Sequence, residues 1–225
     1  MRFRLTYTGP LKPTQDREAP RDPNKTSHRA EHKQDIRHEF HLQLKQLWQN
    51  DKFLREFTVN AGAPPPQQVV PSAAAVARWG SAPVAEVHLS EYLASQYAEY
   101  GYNYVPLVRE HIHLTCALRI LLLRRDPPGG IYNNLGDIDN RIKTILDALR
   151  RPRNPSEVPW RPLPDENPFF VLLEDDRLVT HLEVETDTLH FPPTVKADDA
   201  SLAQVIISVD VRPHYVTMQN LSYVS

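Results

Sequence analysis

The chain has 225 residues, of which 40% are hydrophobic and 24% charged, and its formal net charge is −2. That size suits one domain with insertions, spanning 1–225, and no window approaches the roughly 18 apolar residues that cross a bilayer. The opening MRFRLTYTGP has no apolar export core, so a cytoplasmic protein with no membrane partner is expected. Cys116 is the single cysteine, which excludes an intramolecular disulfide and a zinc site built on cysteine pairs. A charge near neutrality argues against a uniformly basic nucleic-acid binder but leaves room for a local basic face.

Residues 2–9 alternate, with Phe3, Leu5 and Tyr7 on one side and Arg2, Arg4 and Thr6 on the other, the pattern of a strand with one wet face. A polar stretch follows as a basic loop carrying Lys12, Arg17, Arg21 and Lys25. From residue 27 to about 50 the spacing predicts a helix, with Ser27 as N-cap and an apolar stripe of Ile36, Phe40, Leu44 and Leu47. His28 and His32 stand four apart on it and could share a metal, although solvated histidines are the plainer reading.

Residues 51–108 read as an insertion rich in Pro, Ala and Tyr, with no sustained period before a short helix from Ser90 and a turn at Gly101. Tyr92, Tyr97, Tyr100, Tyr102 and Tyr104 crowd this segment. Packing on the main body explains them more simply than base stacking.

Alternation returns in EHIHLTCALRILLL, where Ile112, Leu114, Cys116, Leu118, Ile120 and Leu122 share one face of a strand, and Cys116 is a packing residue. RLVTHLEVET and AQVIISVDVRP are two further strands, the last closed by Pro213 and expected to pair antiparallel with its predecessor. The order strand, helix, strand, helix, strand, strand predicts an α/β (α+β) sandwich: a mixed four-stranded sheet with helices on it.

The segment GDIDNRIKTILDAL lies between the second and third of these strands. Ile138, Ile142, Ile145 and Leu149 form a stripe that must face the sheet, and 100° per residue sets Asp139, Asn140, Lys143 and Asp147 on an adjoining polar flank. Asp137 lies at the first turn, where a carboxylate stabilises the helix by roughly 0.3–1 kcal/mol through the dipole. A second acidic group, Glu174, Asp175 and Asp176, directly precedes a strand. Each cluster alone could be a cap or a turn. Together, beside one lysine, they suit a hard divalent cation, Mg²⁺ or Mn²⁺, which takes oxygen ligands.

GDIDNRIKTILDAL followed by LLEDDRLV resembles the RusA family of Holliday junction resolvases, over roughly half the chain, with 51–108 and a loop at 152–168 as insertions. The resemblance implies a Mg²⁺-dependent endodeoxyribonuclease, a homodimer that cuts branched DNA in recombination and repair. It assigns Asp137, Asp139 and Asp176 as catalytic metal-binding aspartates and Lys143 as the essential lysine, with Asn140, Asp175 and Asp147 in support. Lys12, Arg17, Arg21, Lys25, Arg124 and Arg125 are then the candidate DNA contacts. NNLG stands where the family carries a basic run, which favours an alternative reading: a catalytically inactive protein of the same fold that binds DNA or joins a complex through its insertion.

Overall fold

The computed structural model describes residues 1–12, 28–60, 86–125, 138–190 and 201–223. Ser27, the loop carrying Arg17, Arg21 and Lys25, the Pro/Ala-rich part of the insertion and Asp137 lie outside the described residues.

Strand β1 (Arg2–Pro10) buries Leu5 and Tyr7 and leaves Arg2, Arg4 and Thr6 exposed, as its alternation requires. Gly9 is needed there because a Cβ would lie 2.6 Å from the Tyr7 hydroxyl. That hydroxyl folds across the glycine to donate to the Pro10 carbonyl at 2.6 Å.

Helix α1 (His28–Asn50) buries Ile36, Phe40, Leu44 and Trp48, so Trp48 completes the stripe in place of the expected Leu47, which is only partly buried. Its Gln34, Arg37 and His41 are also buried, because a second layer packs on that side. Arg37 donates to the carbonyls of Asp147 at 3.0 Å and Arg150 at 3.3 Å, supplying partners to groups that a helix end leaves open.

Within the insertion, α2 (Lys52–Glu56) is capped by the Asp51 side chain, and β2 (Thr58–Asn60) pairs antiparallel with β3 (Glu86–His88). Helix α3 (Leu89–Gln96) leads into β4 (Ala98–Glu99) and β5 (Tyr102–Val108). The two-residue turn between those strands places Tyr100 at φ 54° and Gly101 at φ 84°, the left-handed pair that a tight hairpin demands. Tyr102 and Tyr104 are 1% and 0% exposed, so packing accounts for them.

The principal strands are β6 (Leu114–Arg124), β8 (Val179–Thr188) and β9 (Leu202–Pro213), with α4 (Ile138–Leu149) and β7 (Phe169–Leu173) between the first two. The fold is the expected mixed α/β arrangement with a mixed four-stranded sheet, in the order β1-β9-β6-β8. Among neighbours in that sheet only β6 and β8 run parallel, joined by the α4 crossover.

The expectation that the last two strands pair with each other is incorrect. β9 lies between β1 and β6, and β8 takes the other side of β6. Both central strands carry a full buried row: Leu114, Cys116, Leu118, Ile120 and Leu122 on β6, and Ala203, Val205, Ile207, Val209 and Val211 on β9. β8 leaves Leu182 and Val184 at 42% and 37% exposure, which suits an edge. A second sheet, β4-β5-β7, pairs β5 parallel to β7. All five residues of β7 are buried, and such a strand shows no alternation in the sequence.

Candidate functional site

Helix α4 presents three different surfaces. Ile142, Ile145, Ala148 and Leu149 enter the core. A second flank, Asn140, Thr144 and Asp147, is buried as well, and its bonds are structural. Thr144 donates to the carbonyls of Asn140 at 3.0 Å and Lys12 at 3.3 Å, while Asp147 accepts from Lys33 at 2.6 Å and Arg150 at 2.8 Å. Burial alone would raise the Asp147 pKa, but the Lys33 ammonium and the Arg150 guanidinium outweigh it and hold the carboxyl below its usual value.

The third surface is exposed and carries Asp139 and Lys143. The expected single polar flank is therefore split. Four residues turn a helix by about 40° net, which keeps Asp139 with Lys143, and seven turn it back by about 20°, which keeps Asn140 with Asp147. One Asp139 oxygen accepts the Asn140 amide at 2.7 Å. Lys143 has no hydrogen bond or ion pair among the described residues.

The start of α4 is fixed against the end of β1. Arg141 donates to the Leu11 carbonyl, and Thr144 holds the Lys12 carbonyl. Register places Gly9, Ala203, Arg124 and Thr188 in one row across the sheet, so Lys12, Arg124 and Arg125 lie at the same end as that helix start. The structure thus gathers Asp139, Lys143, Lys12, Arg124 and Arg125 around the carboxyl ends of β1 and β6. Loops at such strand ends are where α/β sheets present ligand-binding groups.

Asp176 does not join them. It bonds to Arg153, and its carboxylate lies 3.7 Å from Nε of Arg150, the residue that follows the last turn of α4. Asp139 and Arg150 are eleven residues apart, or about 16 Å along a helix axis. Asp175 caps a short 3-10 turn, Asp176–Leu178, by accepting the Arg177 amide at 3.0 Å, and it pairs with Arg153 at 3.1 Å. Burial pushes the Asp175 carboxyl upward, but those two partners outweigh it and hold the group below the ordinary carboxylate range.

A hard cation needs several converging oxygen ligands. No group of three or more His, Cys, Asp or Glu among the described residues could hold a metal, and with Asp176 beside Arg150, at the opposite end of α4 from Asp139, those two carboxylates do not converge on one ion. Asp137 lies outside the described residues. The histidine pair is also accounted for separately: His28 faces Glu31 at 3.1 Å, and His32 accepts the Lys12 amide at 3.2 Å.

Sequence reasoning missed a cluster on the opposite face of the sheet. Arg2 and Arg4 on β1, Arg119 on β6 and Arg212 on β9 line a concavity of about 770 Å³ together with His181, Ser208, Ala117 and Asp210. Each arginine is legible as a solvent-facing residue. Their convergence depends on the strand order, which alternation does not encode.

Comparison of the chain with protein-family models, curated proteins and solved structures finds no match. No helix among the described residues is long and apolar enough to cross a membrane.

Proposed function

We propose that the protein is a structure-selective endodeoxyribonuclease acting on branched DNA, with its reactive centre at the start of α4. The observation that carries this reading is the division of α4: Asp139 and Lys143 remain exposed and side by side while every other polar residue of the helix interior is engaged in the fold. Lys12, Arg124 and Arg125 at the same end of the sheet suit the phosphates that flank a cut.

In this reading Asp137 and Asp139 are the carboxylates that would hold Mg²⁺ or Mn²⁺, and the metal would supply activation of water and charge neutralisation. Lys143 places a cation where negative charge develops on the phosphoryl oxygens or the leaving oxygen. Asp176 contributes by anchoring Arg150 and Arg153 beneath the helix rather than by touching substrate. A homodimer working in the cytoplasm on four-way junctions is the assembly that the likeness to RusA resolvases implies.

The test is to incubate purified protein with junction, flap, duplex and single-stranded DNA, with and without Mg²⁺. Metal-dependent nicking of a branched substrate supports the reading. Product from none of them overturns it.

The engagement of Asp176 by two arginines favours a second reading, a DNA-binding protein of this fold that does not turn over. Junction binding that persists in EDTA, with no cleavage in any metal, would establish it.

A further inference from the structure

The open face of the four-stranded sheet carries chemistry that the α4 centre does not use. Its helix-facing side is filled by the core, whereas the other side is concave and, among the described residues, uncovered. Register sets Arg2, Asp210, Ala117 and His181 in one row across β1, β9, β6 and β8, and Arg4, Ser208, Arg119 and Glu183 in the next. Small residues, Ala117 and Ser208, floor the concavity, and guanidinium groups rise on either side of it.

The charges there are incompletely balanced. Asp210 is shared between Arg2 at 3.2 Å and Arg212, whose Nε donates to it at 2.9 Å. Arg119 pairs with Glu183 at 3.0 Å, and His181 lies 3.8 Å from the same carboxylate. Arg4 has no ion pair among the described residues. Four guanidiniums therefore meet two carboxylates at the concavity, while Glu185 and Asp187 stand farther along the same face of β8. An arginine fork suits phosphate oxygens better than an ammonium does.

We propose that this sheet face is a binding groove for the sugar–phosphate backbone of a single-stranded nucleic acid, held by Arg2, Arg4, Arg119 and Arg212. Arg2 and Arg4 are two residues apart on one strand face, about 6.6 Å, a repeat close to that of successive phosphates in an extended strand. Phe3 borders the concavity but packs against the core, and no other phenyl, phenol or indole ring among the described residues lines it, so binding through phosphates is indifferent to base sequence. The inference is separate from the nuclease reading, because the groove lies on the face of the sheet away from α4.

Fluorescence anisotropy of a labelled single-stranded oligonucleotide in EDTA tests it, since no cleavage occurs there. Arg4→Glu combined with Arg119→Glu is expected to weaken binding at least tenfold and to flatten the salt dependence by about 0.7 in log–log slope for each phosphate no longer neutralised. Ser208→Glu, which puts a carboxylate on the floor without removing any arginine, should have a similar effect with an unchanged circular dichroism spectrum. Arg55→Glu, an exposed charge on α2, controls for net charge. An equal loss in Arg55→Glu, or none in the groove variants, overturns the proposal. So does displacement by adenosine triphosphate with no dependence on oligonucleotide length, which would assign the groove to a small phosphate. Loss of groove binding with cleavage intact, or the converse, tells the failure of one proposal from that of the other.

Discussion

Asp139 and Asp147 occupy the same helix, two turns apart, and their surroundings could hardly differ more. Asp147 is buried and held between Lys33 and Arg150, while Asp139 is exposed on the side of Lys143, which has no ion pair among the described residues. Identical chemistry is locked into packing at one position and left for solvent or a ligand at the other. What separates them is one step of helical phase, which turns Asp147 toward α1 and Asp139 away from it.

The largest effect is expected at Asp147. Replacing Asp147 with Ala leaves Lys33 with no carboxylate partner among the described residues and takes from Arg150 one of its three, Glu157 and Asp176 remaining, and should lower the unfolding free energy by about 3 kcal/mol in a denaturant titration. A loss under about 1 kcal/mol would show that the two aspartates do not differ in this way.

The buried side of the contrast also predicts a pH dependence. Burial holds His41 and His111 down to about 4, below the ordinary imidazole value of 6.5. Between those values the unfolded chain binds more protons than the folded one, so stability falls as pH drops from 6.5 toward 4. Asp147, whose folded pKa is depressed below 3.8, adds its own loss only at lower pH, as the medium passes through the folded value. Tm should decline through the first window, where two histidines contribute, and go on declining in the second, where Asp147 does. His41→Gln should shrink the first decline, and an unchanged slope would remove His41 from this explanation.

Arg153 probes the contrast from the other end of α4. Its side chain is half exposed, and it bridges Asp175 and Asp176 in a solvent-facing turn. Arg153→Ala should change stability by less than about 1 kcal/mol. A change as large as that at Asp147 would mean that the later acid pair belongs to the core.

The smallest expected stability effect is at Lys143. Lys143→Ala removes no hydrogen bond or ion pair within the described residues and should leave unfolding within about 0.5 kcal/mol of the parent, as surface substitutions usually do. On the proposed nuclease reading, the same variant should abolish most metal-dependent cleavage, which a gel assay on junction DNA would read.

How much of the fold is legible in the sequence follows from what alternation and helical phase encode. Strands with one wet face, such as β1, β6 and β9, declare both themselves and their buried rows. β5 and β7 do not, because a strand covered on both sides has no alternation to read. Faces are legible and neighbours are not: nothing in AQVIISVDVRP says that it inserts between β1 and β6. For the same reason the arginines of the open sheet face can be seen singly but not as a groove. On α4 the phase is readable, but the partner covering the second flank is not, so phase alone groups Asn140 and Asp147 with Asp139. The two acidic clusters likewise suggest one centre for Asp139 and Asp176, whereas Arg150 and Arg153 hold Asp176 at the far end of the helix.

The most direct test compares two neutral isosteres, Asp139→Asn and Asp176→Asn, in Mg²⁺-dependent cleavage of a four-way junction, each checked for an unchanged fold by circular dichroism. With the reactive centre at the start of α4, Asp139→Asn should reduce cleavage at least a hundredfold and Asp176→Asn should retain most of it. Equal loss in both would place Asp176 in the reactive centre, and full activity in Asp139→Asn would contradict a centre at that helix start outright.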